Sequence, residues 1–298
     1  MYESLKKHSV NFHLYIFVFD IQSYDLLKKL NLTSVTVISQ KEFEDEELLK
    51  VKASRSIAEY CWTCTPHVIK FSIDNFNLDN CTYLDADIYF FSNPEILVNE
   101  IENSSIIITD HRFSPMYDQS STVGIYNVQF LTFKNDKNGM EALNWWRKQC
   151  IIWCYNRFEN GKFGDKKYLD DWLVRFKGVN VLKNLGAGVA PWNIQQYKIE
   201  EIPFNLVFYH FHGINFLLNN KIDLGNYRLK KKDLEIIYKP YLIHLEKIKN
   251  SLSIIDNNLN FERLTEIKKF NFVDMIKNLK RKLNNSYNIY NKKYILEL

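Results

Sequence analysis

Apolar residues along this chain fall into short continuous runs separated by longer stretches of amphipathic spacing. His13 to Phe19 is an almost unbroken apolar run that stops at Asp20. Val35 to Ile38, Ser105 to Thr109, Gly124 to Phe133, Val179 to Leu182 and Leu206 to Phe211 are of similar length and β-branched or aromatic character. Such runs predict buried strands. Between them the spacing turns helical over Ser23 to Leu30, Glu42 to Ile73, Glu141 to Arg157 and Lys167 to Phe176. A break is expected near Thr65-Pro66, because proline lacks an N–H and disfavours a helical residue before it. Leu143, Trp146, Cys150 and Trp153 lie on or near one helical face. From Lys231 onward the pattern is helical, polar and rich in Asn.

Strands alternating with helices predict an α/β fold, with a central, mostly parallel mixed sheet flanked by helices and a helical extension at the C-terminal end. Ligands of such sheets bind beyond the carboxyl ends of the strands.

One run differs from the rest. Cys81 to Phe91 is apolar and aromatic but carries Asp85 and Asp87 in its middle. In an extended strand both side chains would point to one face, roughly 7 Å apart. Two such carboxylates repel unless a cation sits with them. A hard divalent ion, Mg or Mn, suits their oxygens and can in turn hold a diphosphate. Val207-Phe208-Tyr209-His210-Phe211-His212-Gly213 offers a third ligand at a strand end in one of its two histidines, His210 for preference over His212, and Gly213 would let backbone approach a phosphate.

Composition narrows the class. The 298 residues are 46% hydrophobic and 25% charged, as in a soluble globular protein with room for a sizeable core. No run of about 18 apolar residues is present to span a bilayer. The first residues lack the apolar core of a signal peptide, so a cytoplasmic protein with reduced thiols is expected for the five cysteines. Cys61, Cys64, Cys150 and Cys154 would make a four-sulfur zinc site if their helices met; buried free thiols are the commoner outcome. The net charge is +4, and basic residues cluster late: Arg228 with Lys230 to Lys232, Lys268 and Lys269, then Lys277, Lys280, Arg281 and Lys282. Phe272, Val273, Ile276, Leu279 and Leu283 interleave with the last group at roughly helical spacing. That makes a basic amphipathic helix, suited either to packing on the domain or to peripheral contact with the inner face of a membrane. No nucleic-acid partner is expected.

Tyr83-Leu84-Asp85-Ala86-Asp87-Ile88-Tyr89-Phe90-Phe91 resembles the metal motif of GT-A glycosyltransferases, and His210 to Gly213 resembles the third-ligand motif of the retaining glycogenin- and lipopolysaccharide-galactosyltransferase-like family. Tyr126 to Phe130 sits where that family has an Asn-containing segment lining the sugar pocket. Phe163 to Asp170 is similar to its Asp-Gln motif on the acceptor side. With Glu59 to Pro66 and Ala190 to Asn193, the likeness extends to bacterial surface-polysaccharide glycosyltransferases and spans over half the chain. It implies a GT-A (Rossmann-like) fold in which Asp85, Asp87 and His210 hold Mn2+ or Mg2+. Arg55, Tyr83, Asp85, Asn127, Gln129 and Gly213 would contact a nucleotide-sugar donor, and Trp192 and Asn193 the acceptor. Asp165 and Asp170 are the candidate catalytic carboxylates.

The chain departs from the family in three places. Lys166 stands where Gln is usual. Phe216 stands where a Lys would clamp the diphosphate, so Arg55, Lys70 or Arg112 is expected to supply that charge. Met1 to Leu5 resembles the helix after the family's first strand, so that strand is expected to be missing. The expectation is therefore a GT-A catalytic domain over 1–225 and a basic helical extension over 226–298. It would transfer a hexose-type sugar from a nucleotide diphosphate donor, uridine-linked for preference, to a glycan or lipid-linked acceptor in surface polysaccharide synthesis, with retention. A catalytically silent sugar-nucleotide-binding protein, and more remotely a nucleotidyltransferase, are the alternatives.

Overall fold

The structure, a computed structural model, describes residues 1–199, 204–256, 259 and 272–298. Strands β1 (Leu14–Val18) and β2 (Val35–Ser39) pair in parallel as a two-stranded sheet. A four-stranded sheet follows, built from β3 (Asn80–Leu84), β5 (Ile106–Asp110), β6 (Tyr126–Lys134) and β7 (Val179–Val181) in the order β3-β6-β5-β7. β6 is antiparallel to both neighbours and β5 pairs in parallel with β7, so three strands run one way and β6 runs against them. The sheet is thus mixed, with helices around it. β6 is buried from Tyr126 to Phe133, as a strand covered on both faces should be. The Ile57–Phe76 and Lys137–Ile152 helices place Ile69, Ile73, Leu143 and Trp146 in one core with Ile106, Leu131 and Phe133.

Three expectations change. The helix runs unbroken from Ile57 to Phe76 through Pro66. An interior proline costs about 3 kcal/mol, but this helix buries Tyr60, Cys64, Val68, Ile69 and Ile73, each returning about 1.5–3 kcal/mol. A Ser56/Glu59 capping box secures its start. Packing therefore outweighs local propensity.

The Cys81–Phe91 run is two strands, not one. β3 ends at Leu84, the chain turns through Asp85-Ala86-Asp87, and β4 (Ile88–Phe90) leaves to pair with β8 (Phe208–His210). The Asp-Ala-Asp triplet is poor in strand propensity and rich in turn propensity, which is why the apolar run breaks there. The carboxylates therefore sit at the carboxyl end of β3.

The C-terminal part is not purely helical. β9 (Asn215–Leu217), β10 (Lys221–Asp223) and β11 (Ile289–Asn291) form an antiparallel sheet. Unlike β7 and β8, which lie within longer apolar runs, these three-residue strands lie among Asn, Lys and Asp residues and leave too little alternation to be seen in the sequence. Asn219 and Asn220 both adopt positive φ, 58° and 57°, which asparagine tolerates and a hairpin turn requires. Ile222, Leu234, Ile237, Tyr238, Leu242 and Ile295 share one core with Tyr209 and Phe211 of the β8 region. In the Phe272–Leu283 helix Met275, Ile276, Leu279 and Leu283 are exposed, while Arg281 pairs with Asp223 at 2.6 Å. Lys268, Lys269 and the side chains of Phe272 and Val273 lie outside what the structure describes. Among the described residues, no helix is long and apolar enough to cross a membrane.

Among the described residues, β1 pairs only with β2, and β3 only with β6. Residues of both strands, including Leu14, Ile16, Cys81 and Tyr83, line an apolar cavity of about 710 Å³.

Candidate functional site

The turn after β3 and the end of β8 meet because β4 carries the chain from one to the other. Ile88 pairs across from His210, and the Phe211 N–H donates to the Asp87 carbonyl at 2.9 Å. This register sets His210 Nε2 3.0 Å from Asp87 Oδ1 and 3.8 Å from Asp85 Oδ2. Asp85 is fixed in turn: its N–H donates to the Gln129 carbonyl at 3.1 Å, and the Tyr83 hydroxyl donates to Oδ1 at 3.0 Å. His210 Nδ1 lies 2.5 Å from Gln129 Oε1. An amide oxygen only accepts, so Nδ1 carries the proton and Nε2 is turned toward the carboxylates. One ligand atom from each of Asp85, Asp87 and His210 lies within 4.8 Å of the others. Two carboxylates and an imidazole aimed by its second nitrogen are a donor set that fits Mn2+ or Mg2+.

These residues open onto a cleft of about 510 Å³. Asp165, Lys166, Asn127, His111 and His212 also line it, with aromatic walls from Trp62, Phe113, Phe163, Trp192 and Tyr227. Burial raises the Asp85 pKa, and Asp87 adds to the rise. Burial also pushes Asp87 upward, but His210 outweighs it and holds Asp87 below its ordinary value. For His210 burial pulls the pKa down and Asp87 outweighs it, so the ring is raised. Burial lifts Asp165 to about 7, with Asp85 adding and Lys166 subtracting. Burial lowers Lys166, against the pull of Asp165 and Asp85. His212 is lowered to about 4, by burial first and then by His210. The cleft therefore couples acidic, basic and cationic groups in one half-buried space. Such a constellation can hold an anion and move a proton near neutral pH.

Lys166 is the residue the sequence undervalued. Its motif position marked a departure from Gln, yet in the fold it is the ammonium facing the acid cluster. The other cations expected to serve the donor lie elsewhere. Arg55 stacks on Tyr155 at 3.8 Å and donates to the Ile151 carbonyl at 3.2 Å, outside the cleft lining. Lys70 pairs with Asp74 one helical turn on. Arg112 lies 5.8 Å from the Tyr197 ring and does not line the cleft.

Several other expected residues are committed to the backbone. Asp170 accepts from the Ile125 N–H at 2.7 Å and from Lys167 at 2.7 Å, holding the loop before β6. Asn193 is fully buried; it donates to the His111 and Gly188 carbonyls, both at 2.9 Å, and accepts from the Ala190 N–H. Gln129 stands behind His210 rather than in the cleft. Gly213 turns the chain after β8 at φ 81° and lies outside the cleft lining. Tyr83, Asn127, Asp165 and Trp192 do line it, and the Trp192 indole donates to the His111 carbonyl at 3.0 Å. His212, the other strand-end histidine open as a third ligand, lines the cleft as well; Trp62, Phe113 and Tyr227 escaped the sequence reading, since isolated aromatic side chains are ordinary core residues until a fold gathers them. All five cysteines are free thiols, and among the described residues none joins a group of metal-ligating side chains.

Fold and site together define a mixed α/β protein with an acid–imidazole centre at the end of a strand. The chain belongs to the family of YfnD, an uncharacterized protein of Bacillus subtilis, with 34% identity over 262 residues that cover 83% of this chain and 84% of YfnD. It is also similar to YfnF of the same organism, at 28% identity over 276 residues, covering 87% of this chain and 91% of YfnF. No family model matches. Among solved structures, it resembles mouse xyloside xylosyltransferase 1 with a TM-score of 0.46 and 13% identity, over 71% of this chain and 90% of that one. It also resembles a glycosyltransferase involved in glycosylation of the major capsid of PBCV-1, with a TM-score of 0.41 and 11% identity, over 68% and 96%.

Proposed function

We propose that this chain is a metal-dependent glycosyltransferase of GT-A type, transferring a hexose-type sugar from a nucleotide diphosphate donor to a glycan or lipid-linked acceptor in surface polysaccharide synthesis. One observation carries the reading. Asp85, Asp87 and His210 converge at the mouth of a cleft that also holds Lys166, Asp165 and a wall of aromatic rings. Asp85, Asp87 and His210 would hold Mn2+ or Mg2+, which when bound supplies positive charge to the departing diphosphate. Lys166 adds a second positive group on the same side. Asp165, with a pKa of about 7, can hold or release a proton at the sugar or the acceptor hydroxyl. Trp192 and its aromatic neighbours offer faces on which sugar rings stack. Retention is the preferred outcome on the resemblance of the His210–Gly213 segment. Residues 1–225 would carry the reaction. The exposed apolar and basic face of the Phe272–Leu283 helix would bring the enzyme to an anionic membrane surface that presents a lipid-linked acceptor.

The test is release of nucleoside diphosphate from a panel of sugar nucleotides with Mn2+, by the wild-type chain and by Asp87→Ala. Release or transfer that the substitution abolishes supports the proposal. Donor binding without turnover would make the chain a silent sugar-nucleotide binder, and release of pyrophosphate would make it a nucleotidyltransferase.

A further inference from the structure

Away from the cleft, the Glu46–Lys52, Ile57–Phe76 and Lys137–Ile152 helices meet. There one ligand atom from each of Asp45, Glu47 and His67 lies within 4.8 Å of the others. His67 is 4% exposed, and its Nδ1 lies 3.2 Å from the Thr63 carbonyl. A carbonyl only accepts, so Nδ1 holds the proton and Nε2 keeps its lone pair. That Nε2 is buried with no hydrogen-bond partner. A histidine whose far nitrogen donates to a backbone carbonyl is oriented as metal-ligating histidines are.

Arg147 now answers the two acids. Its Nη2 lies 3.3 Å from Asp45 Oδ2 and 3.7 Å from Glu47 Oε2. The guanidinium is an imperfect occupant, because it leaves the His67 lone pair unanswered and its own Nε buried without a partner. Asp45 spends Oδ1 on the Leu48 N–H at 2.9 Å, capping its helix, and keeps Oδ2 for the junction. Asp45 and Glu47 are exposed, so an ion can enter from solvent and the carboxylates can close on it. One imidazole nitrogen and two carboxylate oxygens, with a fourth position left to water, suit tetrahedral zinc.

We infer that Asp45, Glu47 and His67 form a second metal site, a zinc site that ties the Glu46–Lys52 helix to the Ile57–Phe76 helix and that Arg147 guards as a displaceable cation. The site does not depend on what the cleft does.

The test uses the full chain carrying Asp85→Asn and Asp87→Asn, which removes the carboxylates of the cleft, stripped with chelator and titrated with Zn2+ by calorimetry. The expected result is one ion per chain and a raised melting temperature, since a ligand that binds only the folded form stabilises it. Adding His67→Gln weakens binding at least about a hundredfold, and Asp45→Asn, which keeps the helix cap, weakens it as well. Adding Arg147→Met strengthens binding about tenfold, because a like charge beside the ion is gone. In the otherwise wild-type chain, His67→Gln takes up one zinc fewer. Far-UV circular dichroism shows which variants are folded. Absence of zinc uptake by the folded double variant, uptake that ignores His67→Gln, or weaker uptake by folded Arg147→Met would each overturn the inference.

Discussion

Asp85, Asp87 and His210 at the end of β3, and Asp45, Glu47 and His67 between helices, present the same kinds of donor: two carboxylates and one imidazole. In both, a neighbouring oxygen accepts from Nδ1; Nε2 then faces Asp87 in the first and has no hydrogen-bond partner in the second. Their surroundings differ. The first cluster opens onto a cleft with Lys166, Asp165 and aromatic walls. The second lies outside both described cavities and already has a guanidinium against its acids. A donor set predicts an ion; only the space and charge around it predict chemistry. Cavity size is no guide either. The larger cavity, between β1 and β3, has an apolar lining and no cluster of converging acids.

The comparison breaks most visibly in activity. Asp87→Ala should lower sugar transfer by about a thousandfold, the scale of losing a main charge stabiliser, whereas His67→Gln should leave the specific rate unchanged; steady-state assays of both variants check this. The second contrast concerns who orients the imidazole. His210 is aimed by the Gln129 side chain and His67 by a backbone carbonyl. Gln129→Leu should therefore weaken Mn2+ binding in the cleft by about ten- to a hundredfold, measured by calorimetry, and leave zinc binding at the helices untouched. Third, Lys166→Met should weaken binding of nucleoside diphosphate about tenfold, with Lys166→Arg recovering part of the loss. Arg147→Met should not alter it.

Asp165 gives a pH test of the cleft alone. Its folded pKa of about 7 lies above that of an unfolded aspartate, about 3.9. The folded state thus binds the proton more tightly, so stability falls as pH rises from about 4 to about 7. Asp165→Asn should raise stability at pH 8 by a few kcal/mol at most, in chemical denaturation, while removing the acid limb of the pH–rate profile. The smallest effect is at the surface: replacing Lys280 alone with Gln should cost about 1 kcal/mol in binding to anionic vesicles, measured by flotation.

The strands around the sheet and the acid pair were legible because apolar runs and a polar interruption are written locally. His210 was legible too, because a strand-end histidine before glycine stood in a recognisable place. The backbone partners of Arg55, Asp170 and Asn193 were not legible, for a common reason. Each is polar and lies in a motif, but the fold pairs each with a backbone group: Arg55 with the Ile151 carbonyl, Asp170 with the Ile125 N–H and Asn193 with the buried His111 carbonyl. Sequence names the donor and acceptor types without naming which backbone groups will need them. Lys166 erred the other way: a substitution that looked like a lost function places a cation among acids. Pro66 and the β9–β11 sheet show tertiary packing overruling local pattern.

The central claim is that one ion joins the acid pair, His210 and a nucleotide diphosphate. Pulsed electron paramagnetic resonance of the chain with Mn2+ and uridine diphosphate addresses it directly. The account predicts nitrogen coupling from an imidazole, lost in His210→Ala, together with phosphorus coupling from the diphosphate on the same ion. A bound Mn2+ showing phosphorus coupling but no nitrogen coupling, or a nitrogen coupling that survives His210→Ala, would contradict it.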